Sequence, residues 1–127
     1  MGKNRILVVE DEESLLKLES ILLTSKGYDV TGVGDGTAAL REVATNRPDL
    51  IILDIMLPEI DGFEVCRRIK TNPETAAIPV VMLTAKKNSQ DFTRGVQVGA
   101  DAYITKPFKS ARVVEVIEGL LKEKATR

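Results

Sequence analysis

The stretch "LIILD", Leu50 to Asp54, restricts the fold of this chain more than any other. Four consecutive large aliphatic residues leave no polar face, so a strand built from them must be buried on both sides. Such a strand belongs inside a parallel sheet whose two faces are covered by helices. The stretch nevertheless ends on a carboxylate, a group rarely buried without a partner. Either the strand surfaces there and Asp54 opens a turn, as Asp often does, or Asp54 stands at the mouth of a site. The remainder of the chain has to decide between them.

The flanking sequence alternates in the way such a sheet needs. Residues 5–10 (RILVVE), 28–33 (YDVTGV), 49–54 (DLIILD), 80–84 (VVMLT) and 102–105 (AYIT) read as strands. Between them lie helical patterns at 14–27, 37–46, 62–70 and, more weakly, 89–99, with a last one from about 109 to 123. The first places Leu15, Leu18 and Leu22 on one face, with Gly27 just past its end. The second turns Leu40 and Val43 inward, and the last carries Val113, Val116, Ile117, Leu120 and Leu121. Five strands alternating with five helices predict an α/β fold, a doubly wound parallel sheet. No linker or repeat interrupts it, and 127 residues suit a single domain spanning residues 1–127.

Composition removes whole classes of chemistry. With 18 basic and 19 acidic residues the net charge is -1, so direct nucleic-acid binding and attraction to anionic lipid are not expected. No apolar run approaches the roughly 20 residues that span a bilayer, and the N-terminus lacks the apolar core of a signal peptide. Gly2 with Ile6 leaves a myristoylation motif incomplete, and a cytoplasmic location is the default. The single Cys66 excludes an internal disulfide and a cysteine-rich zinc site; beside Phe63 and Ile69 it reads as a small buried hydrophobe. There is no histidine, which removes the usual general base, the usual triads and the commonest transition-metal ligand. Chemistry is left to carboxylates, lysine, hydroxyls and backbone.

In an open parallel sheet, ligands bind beyond the carboxyl ends of the strands. The first strand ends in Glu10-Asp11, the third in Asp54 and the fourth in Thr84, while Lys106-Pro107 follows the fifth. Each has an ordinary explanation alone: acids near a helix N-terminus, a β-branched strand end, one solvated lysine. Together they are harder to dismiss. Two carboxylates 4 Å apart repel by about 4 kcal/mol at an effective dielectric of 20. A hard divalent cation such as Mg²⁺ would offset that repulsion. Carboxylates, Mg²⁺, an ammonium and a hydroxyl around one point suit phosphoryl chemistry, with one carboxylate as nucleophile.

These segments resemble those of a response-regulator receiver domain of the two-component systems: Glu10-Asp11, "LIILDIMLPEIDGFE", "VMLTA" and "GADAYITKPF", in that order, over about residues 5 to 122. The resemblance implies a flavodoxin-like sheet of strand order 2-1-3-4-5. It makes Asp54 the phosphoacceptor, and Glu10, Asp11, Asp54 and the Met56 backbone carbonyl the holders of Mg²⁺. Glu10 stands where many relatives carry Asp. Lys106 would pair with one phosphoryl oxygen and Thr84 would donate to another. Lys106-Pro107 would be a cis peptide, while Pro58 and Asp61-Gly62 would shape the loop after the acceptor. Tyr103 would enter space vacated by Thr84, changing the surface of the fourth helix, fifth strand and fifth helix. Met56 and Lys86 would govern how long the phosphate survives.

By the same resemblance the chain is no turnover enzyme. Its phosphodonor is a sensor histidine kinase or phosphotransfer protein, its output is unknown, and a phosphorylation-dependent dimer is allowed. Two other classes compete. An Mg²⁺-dependent aspartyl-phosphate phosphohydrolase would want a second Asp at position 56, which is Met. A phosphorylation-independent adaptor fits poorly with an intact acceptor, acid pair, Thr and Lys. Within the family, Ala102, Arg112 and Val116 stand where winged-helix regulators usually carry an acid, Glu and Arg, which disfavours that subclass.

Overall fold

The computed structural model describes residues 3–84, 93–94, 96–106 and 109–125. They form β1 (Arg5–Val9), α1 (Glu13–Ser25), β2 (Asp29–Val33), α2 (Gly36–Asn46), β3 (Leu50–Asp54), α3 (Gly62–Thr71), β4 (Val80–Thr84), β5 (Ala102–Thr105) and α4 (Ser110–Ala125). The strands make one parallel sheet in the order β2-β1-β3-β4-β5, the doubly wound order expected above. Of the five expected helices, four are present among the described residues. The other, 89–99, is described only in part, and Thr93, Arg94, Val96 and Gln97 within it are helical.

Position in the sheet follows the hydrophobic pattern. β3 and β4 are buried throughout and β1 everywhere but at Arg5, whereas β2 and β5 are partly open edge strands. Successive strand residues point to opposite faces and so feed two cores. Leu7, Val9, Ile51, Leu53, Val80 and Met82 pack with Ala39 and Val43 of α2 and with Val65, Cys66 and Ile69 of α3. Ile6, Val8, Leu50, Ile52, Val81 and Leu83 pack on the opposite side with Leu23 of α1 and with Val113 and Ile117 of α4. Cys66 is fully buried, as its spacing implied.

The rotation of α1 departs from the sequence expectation. Leu18 is 52% exposed and Ile21 60% exposed, while Glu19 and Leu23 are buried and Leu16 packs against the core. Apolar residues occur almost all round this helix, so its periodicity does not single out one face. The sheet decides instead: Gly32 of β2 leaves a hollow that the Leu16 side chain fills, close enough that a Cβ there would lie 2.8 Å from Leu16 Cδ1. Seating Leu16 carries Glu19 and Leu23, three and seven residues on, to the buried side.

The end of α1 matches its reading. Gly27 adopts φ 95°, the Gly27 N–H donates to the Thr24 carbonyl and the Tyr28 N–H to that of Leu23. This is a Schellman closure, with Leu23 and Tyr28 both in the same core. A Cβ on Gly27 would meet nothing within 4 Å, so only backbone strain opposes a side chain there. Gly27→Ala should therefore cost about 1 kcal/mol in urea denaturation. Gly119→Ala, in the body of α4 and equally unobstructed, should stabilise by up to about 1 kcal/mol. Equal effects of the two changes would contradict the assignment of strain to Gly27.

Candidate functional site

Strand register assembles the site. Val9 lies beside Leu53, Asp54 beside Leu83 and Thr84 beside Thr105, so Glu10, Asp54, Thr84 and Lys106 all emerge at the carboxyl edge. The Glu10 N–H donates to the Val33 carbonyl and the Lys106 N–H to that of Thr84, carrying the sheet's bonding pattern one residue further on both flanks. Side-chain position is thus set by backbone already fixed by two cores.

The charges are then closely interlocked. Lys106 Nζ donates to Asp54 Oδ2 at 2.6 Å and to Glu10 Oε1 at 2.8 Å. The Met56 N–H donates to Asp54 Oδ1 at 3.0 Å, and the Glu12 N–H to Glu10 Oε2 at 3.1 Å. Both oxygens of both buried acids are therefore engaged. Asp54 and Glu10 are buried, Asp11 is exposed, and one carboxylate oxygen from each of the three lies within 4.8 Å of the others. They open into a cleft of about 710 Å³ that also takes in Met56, Pro58, Asp61, Phe63 and Arg94.

Burial raises the Glu10 carboxyl above its ordinary value; Lys106 and the Glu12 N–H oppose that rise, and the Asp54 charge adds to it. Burial also works to lower Lys106, yet its hydrogen bonds to Asp54 and Glu10 and their charges outweigh this and raise it. Lys106 is consequently a fixed cation at neutral pH.

The loop after β3 is tightly folded. Gly62 sits directly on the Asp54 backbone: a Cβ there would collide with the Asp54 carbonyl oxygen, and the Gly62 N–H donates to the Ile55 carbonyl at 2.9 Å. Crowding, not a positive φ, is what requires glycine at this position. Glu59 does adopt a positive φ of 64°, inside a turn closed by the Ile60 N–H and the Pro58 carbonyl, a strained geometry for a side-chain-bearing residue. Asp61 then caps α3 through the Glu64 N–H.

Of the residues singled out from sequence, Glu10, Asp11, Asp54 and Lys106 come together, and Met56 and Pro58 line their cleft. Thr84 is buried at the end of β4, and half-buried Tyr103 packs against the Phe63-containing core on the sheet face that Thr84 shares. Pro107 and Lys86 lie outside the described residues. Sequence reasoning missed two groups. Arg94 lines the cleft, its guanidinium 4.4 Å from the Phe63 ring centroid and 3.7 Å from Asp61 Oδ2. Glu19 is a buried carboxyl on α1, with Oε1 lacking a hydrogen-bond partner among the described residues. Its one sequence signal is an acid spaced three after Leu16 and four before Leu23.

The chain also has close relatives. The family model described as the response regulator receiver domain matches residues 6–118. The chain is 43% identical over 120 residues to the DNA-binding response regulator MtrA of Mycobacterium tuberculosis, covering 94% of this chain and 51% of that protein. It is 43% identical over 118 residues to the alkaline phosphatase synthesis transcriptional regulatory protein PhoP of Bacillus subtilis, covering 93% and 48%. The chain thus spans about half the length of the curated relatives it matches. Among solved structures it superimposes on the receiver domain of the sensor histidine kinase PA1611 from Pseudomonas aeruginosa, which has a magnesium ion coordinated in its active-site cleft. That match has a TM-score of 0.88 at 32% identity and covers 95% of this chain and 99% of the other.

Glu19 yields a pH dependence. Burial first, then the Glu10 charge, pushes its carboxyl from 4.5 to about 7, while Lys106 pulls the other way. An acid raised on folding contributes stability that is full below its unfolded pKa and is lost as pH rises through the folded one. Between about pH 4.5 and pH 8, wild type should therefore lose on the order of 3 kcal/mol relative to Glu19→Leu, measured by urea denaturation. A difference independent of pH would contradict a buried, protonatable Glu19.

Proposed function

Because the chain belongs to the response regulator receiver domain family, we propose that Asp54 accepts a phosphoryl group from a partner histidine kinase or phosphotransfer protein. The observation that carries this reading is the state of Asp54: buried at the end of β3, its two oxygens fixed by Lys106 Nζ and the Met56 N–H, with Glu10 and Asp11 beside it. A family of signalling domains, in place of substrate turnover, is consistent with that arrangement.

Three oxygen ligands within reach of one another, with no nitrogen or sulfur donor among them, suit a small hard ion. Glu10, Asp11, Asp54 and the Met56 carbonyl would hold Mg²⁺, which when bound supplies positive charge beside the incoming phosphoryl oxygens. The chain's own residues do the remainder. One Asp54 oxygen attacks phosphorus, the donor's P–N bond breaks, and the imidazole leaves with the electron pair. The Lys106 ammonium, already 2.6 Å from Asp54, then pairs with a phosphoryl oxygen. Thr84 donates its hydroxyl to another oxygen, and Tyr103 moves toward the space Thr84 leaves. The surface that includes β5 and α4 is thereby shifted between two populated states.

The relatives' names point to a DNA-binding output, whereas Ala102, Arg112 and Val116 depart from the pattern of the winged-helix subclass. Arg112 instead pairs with Glu115 along α4 at 3.0 Å. The receiver unit itself carries the phosphoryl switch, and nucleic-acid contact is not assigned to it.

Two outcomes test this reading. With Mg²⁺ and acetyl phosphate, wild type should gain one phosphoryl group by intact mass and Asp54→Asn should gain none; equal stable incorporation would sink the assignment. The phosphate should also be long-lived, because Met56, 73% exposed at the cleft, offers no polar group to orient water, and Lys86 adds only a cation. Met56→Asn with Lys86→Glu should shorten the lifetime several-fold in excess Mg²⁺, and unchanged lifetimes would remove these positions from control of hydrolysis.

A further inference from the structure

The cleft that contains Asp54 has a second cation whose position the phosphoacceptor reading does not use. Among its described lining residues are five acids, Glu10, Asp11, Glu12, Asp54 and Asp61, and two cations, Lys106 and Arg94. Lys106 is held against the nucleophile itself by contacts of 2.6 and 2.8 Å. Arg94 lines the same cleft but touches neither Asp54 nor Glu10 by any hydrogen bond or ion pair among the described residues, its contacts being with Phe63 and Asp61.

The guanidinium lies over the Phe63 ring at 4.4 Å, which fixes its plane while leaving the N–H edge for an anion. Its ion pair with Asp61 is 3.7 Å long, beyond hydrogen-bond length, and Asp61 Oδ1 is already bound to the Glu64 N–H at 2.9 Å. Arg94 is therefore placed by stacking, and among the described residues no partner within hydrogen-bond length holds its charge. The surrounding acids also make the cleft repel anions unless a cation faces them.

Resting on the proposed acceptor role of Asp54, we infer that Arg94 sets donor specificity by binding the anionic leaving group of acyl phosphates. In that reaction an Asp54 oxygen attacks phosphorus, the P–O bond to the acyl oxygen breaks, and the carboxylate departs with the electron pair and no proton. Negative charge grows on the departing oxygens as that bond breaks, and a guanidinium binds a carboxylate in two-pronged fashion. Nitrogen-linked donors behave differently. In zwitterionic phosphoramidate the P–N bond breaks and neutral ammonia leaves, so a cation lining the cleft has no charge to stabilise. Arg94 thus separates donors by the charge of what they leave behind.

The test compares initial rates of phosphorylation in Mg²⁺ with acetyl phosphate and with phosphoramidate, for wild type, Arg94→Gln and Arg94→Lys. Because Arg94 is largely exposed, the expected effect is modest: roughly a fivefold loss with acetyl phosphate in Arg94→Gln. The phosphoramidate rate should stay within about twofold, and Arg94→Lys should recover part of the loss. Beryllofluoride, which occupies the phosphoryl position and has no leaving group, should bind all three proteins alike, as read from amide shifts in NMR. Parallel losses with both donors, weakened beryllofluoride binding, or no change with either donor would overturn the role of Arg94. Absence of labelling in wild type from both donors would instead refute the acceptor reading on which it rests.

Discussion

Everything at the carboxyl edge of this sheet depends on one lysine held between two buried acids. Glu10 and Asp54 are 1% and 4% exposed, and Lys106 reaches both from the far side of β4. At such distances each attraction amounts to about 6 kcal/mol at an effective dielectric of 20, against a desolvation cost of several kcal/mol per ion. The arrangement is thus close to balanced, and removing one partner would leave a buried charge uncompensated. That balance suits a switch. Under the proposed function, a phosphoryl group on Asp54 would redirect Lys106 without requiring a large rearrangement of the core.

The rest of the fold makes the arrangement rigid. β1 and β3 lie side by side, β4 pairs with β3, and β5 pairs with β4, so four strand ends share one edge by hydrogen-bond register alone. Two cores of opposite strand parity hold that register, since slipping by one residue would turn every apolar side chain to the wrong face. Gly62 then brings the start of α3 against the Asp54 backbone. The turn at Glu59, in the loop that follows β3, holds backbone strain.

How much of this was legible in the sequence varies with the kind of interaction. Asp54, Glu10, Thr84 and Lys106 could be found because a strand end is a one-dimensional feature, and the parallel fold carries all of them to one edge. The rotation of α1 could not. Its leucines surround the helix, and the hollow at Gly32 that receives Leu16 exists only once β2 has paired with β1. Glu19 followed from that rotation, so a residue that reads as solvated became a buried acid coupled to Glu10. Arg94 was equally hidden, because its proximity to Phe63 and Asp61 comes from packing between segments about thirty residues apart in sequence. Periodicity reports a face; only tertiary contact reports which neighbour that face meets.

The most direct test is the chemical location of the phosphoryl group. The wild-type chain would be labelled with acetyl phosphate in Mg²⁺, reduced with borohydride to convert the acyl phosphate to an alcohol, and mapped by peptide mass spectrometry. The expected result is homoserine at position 54 and an unmodified carboxylate at positions 10 and 11. Reduction at Glu10 or Asp11, or none anywhere in a labelled chain, would contradict Asp54 as the nucleophile held by Lys106.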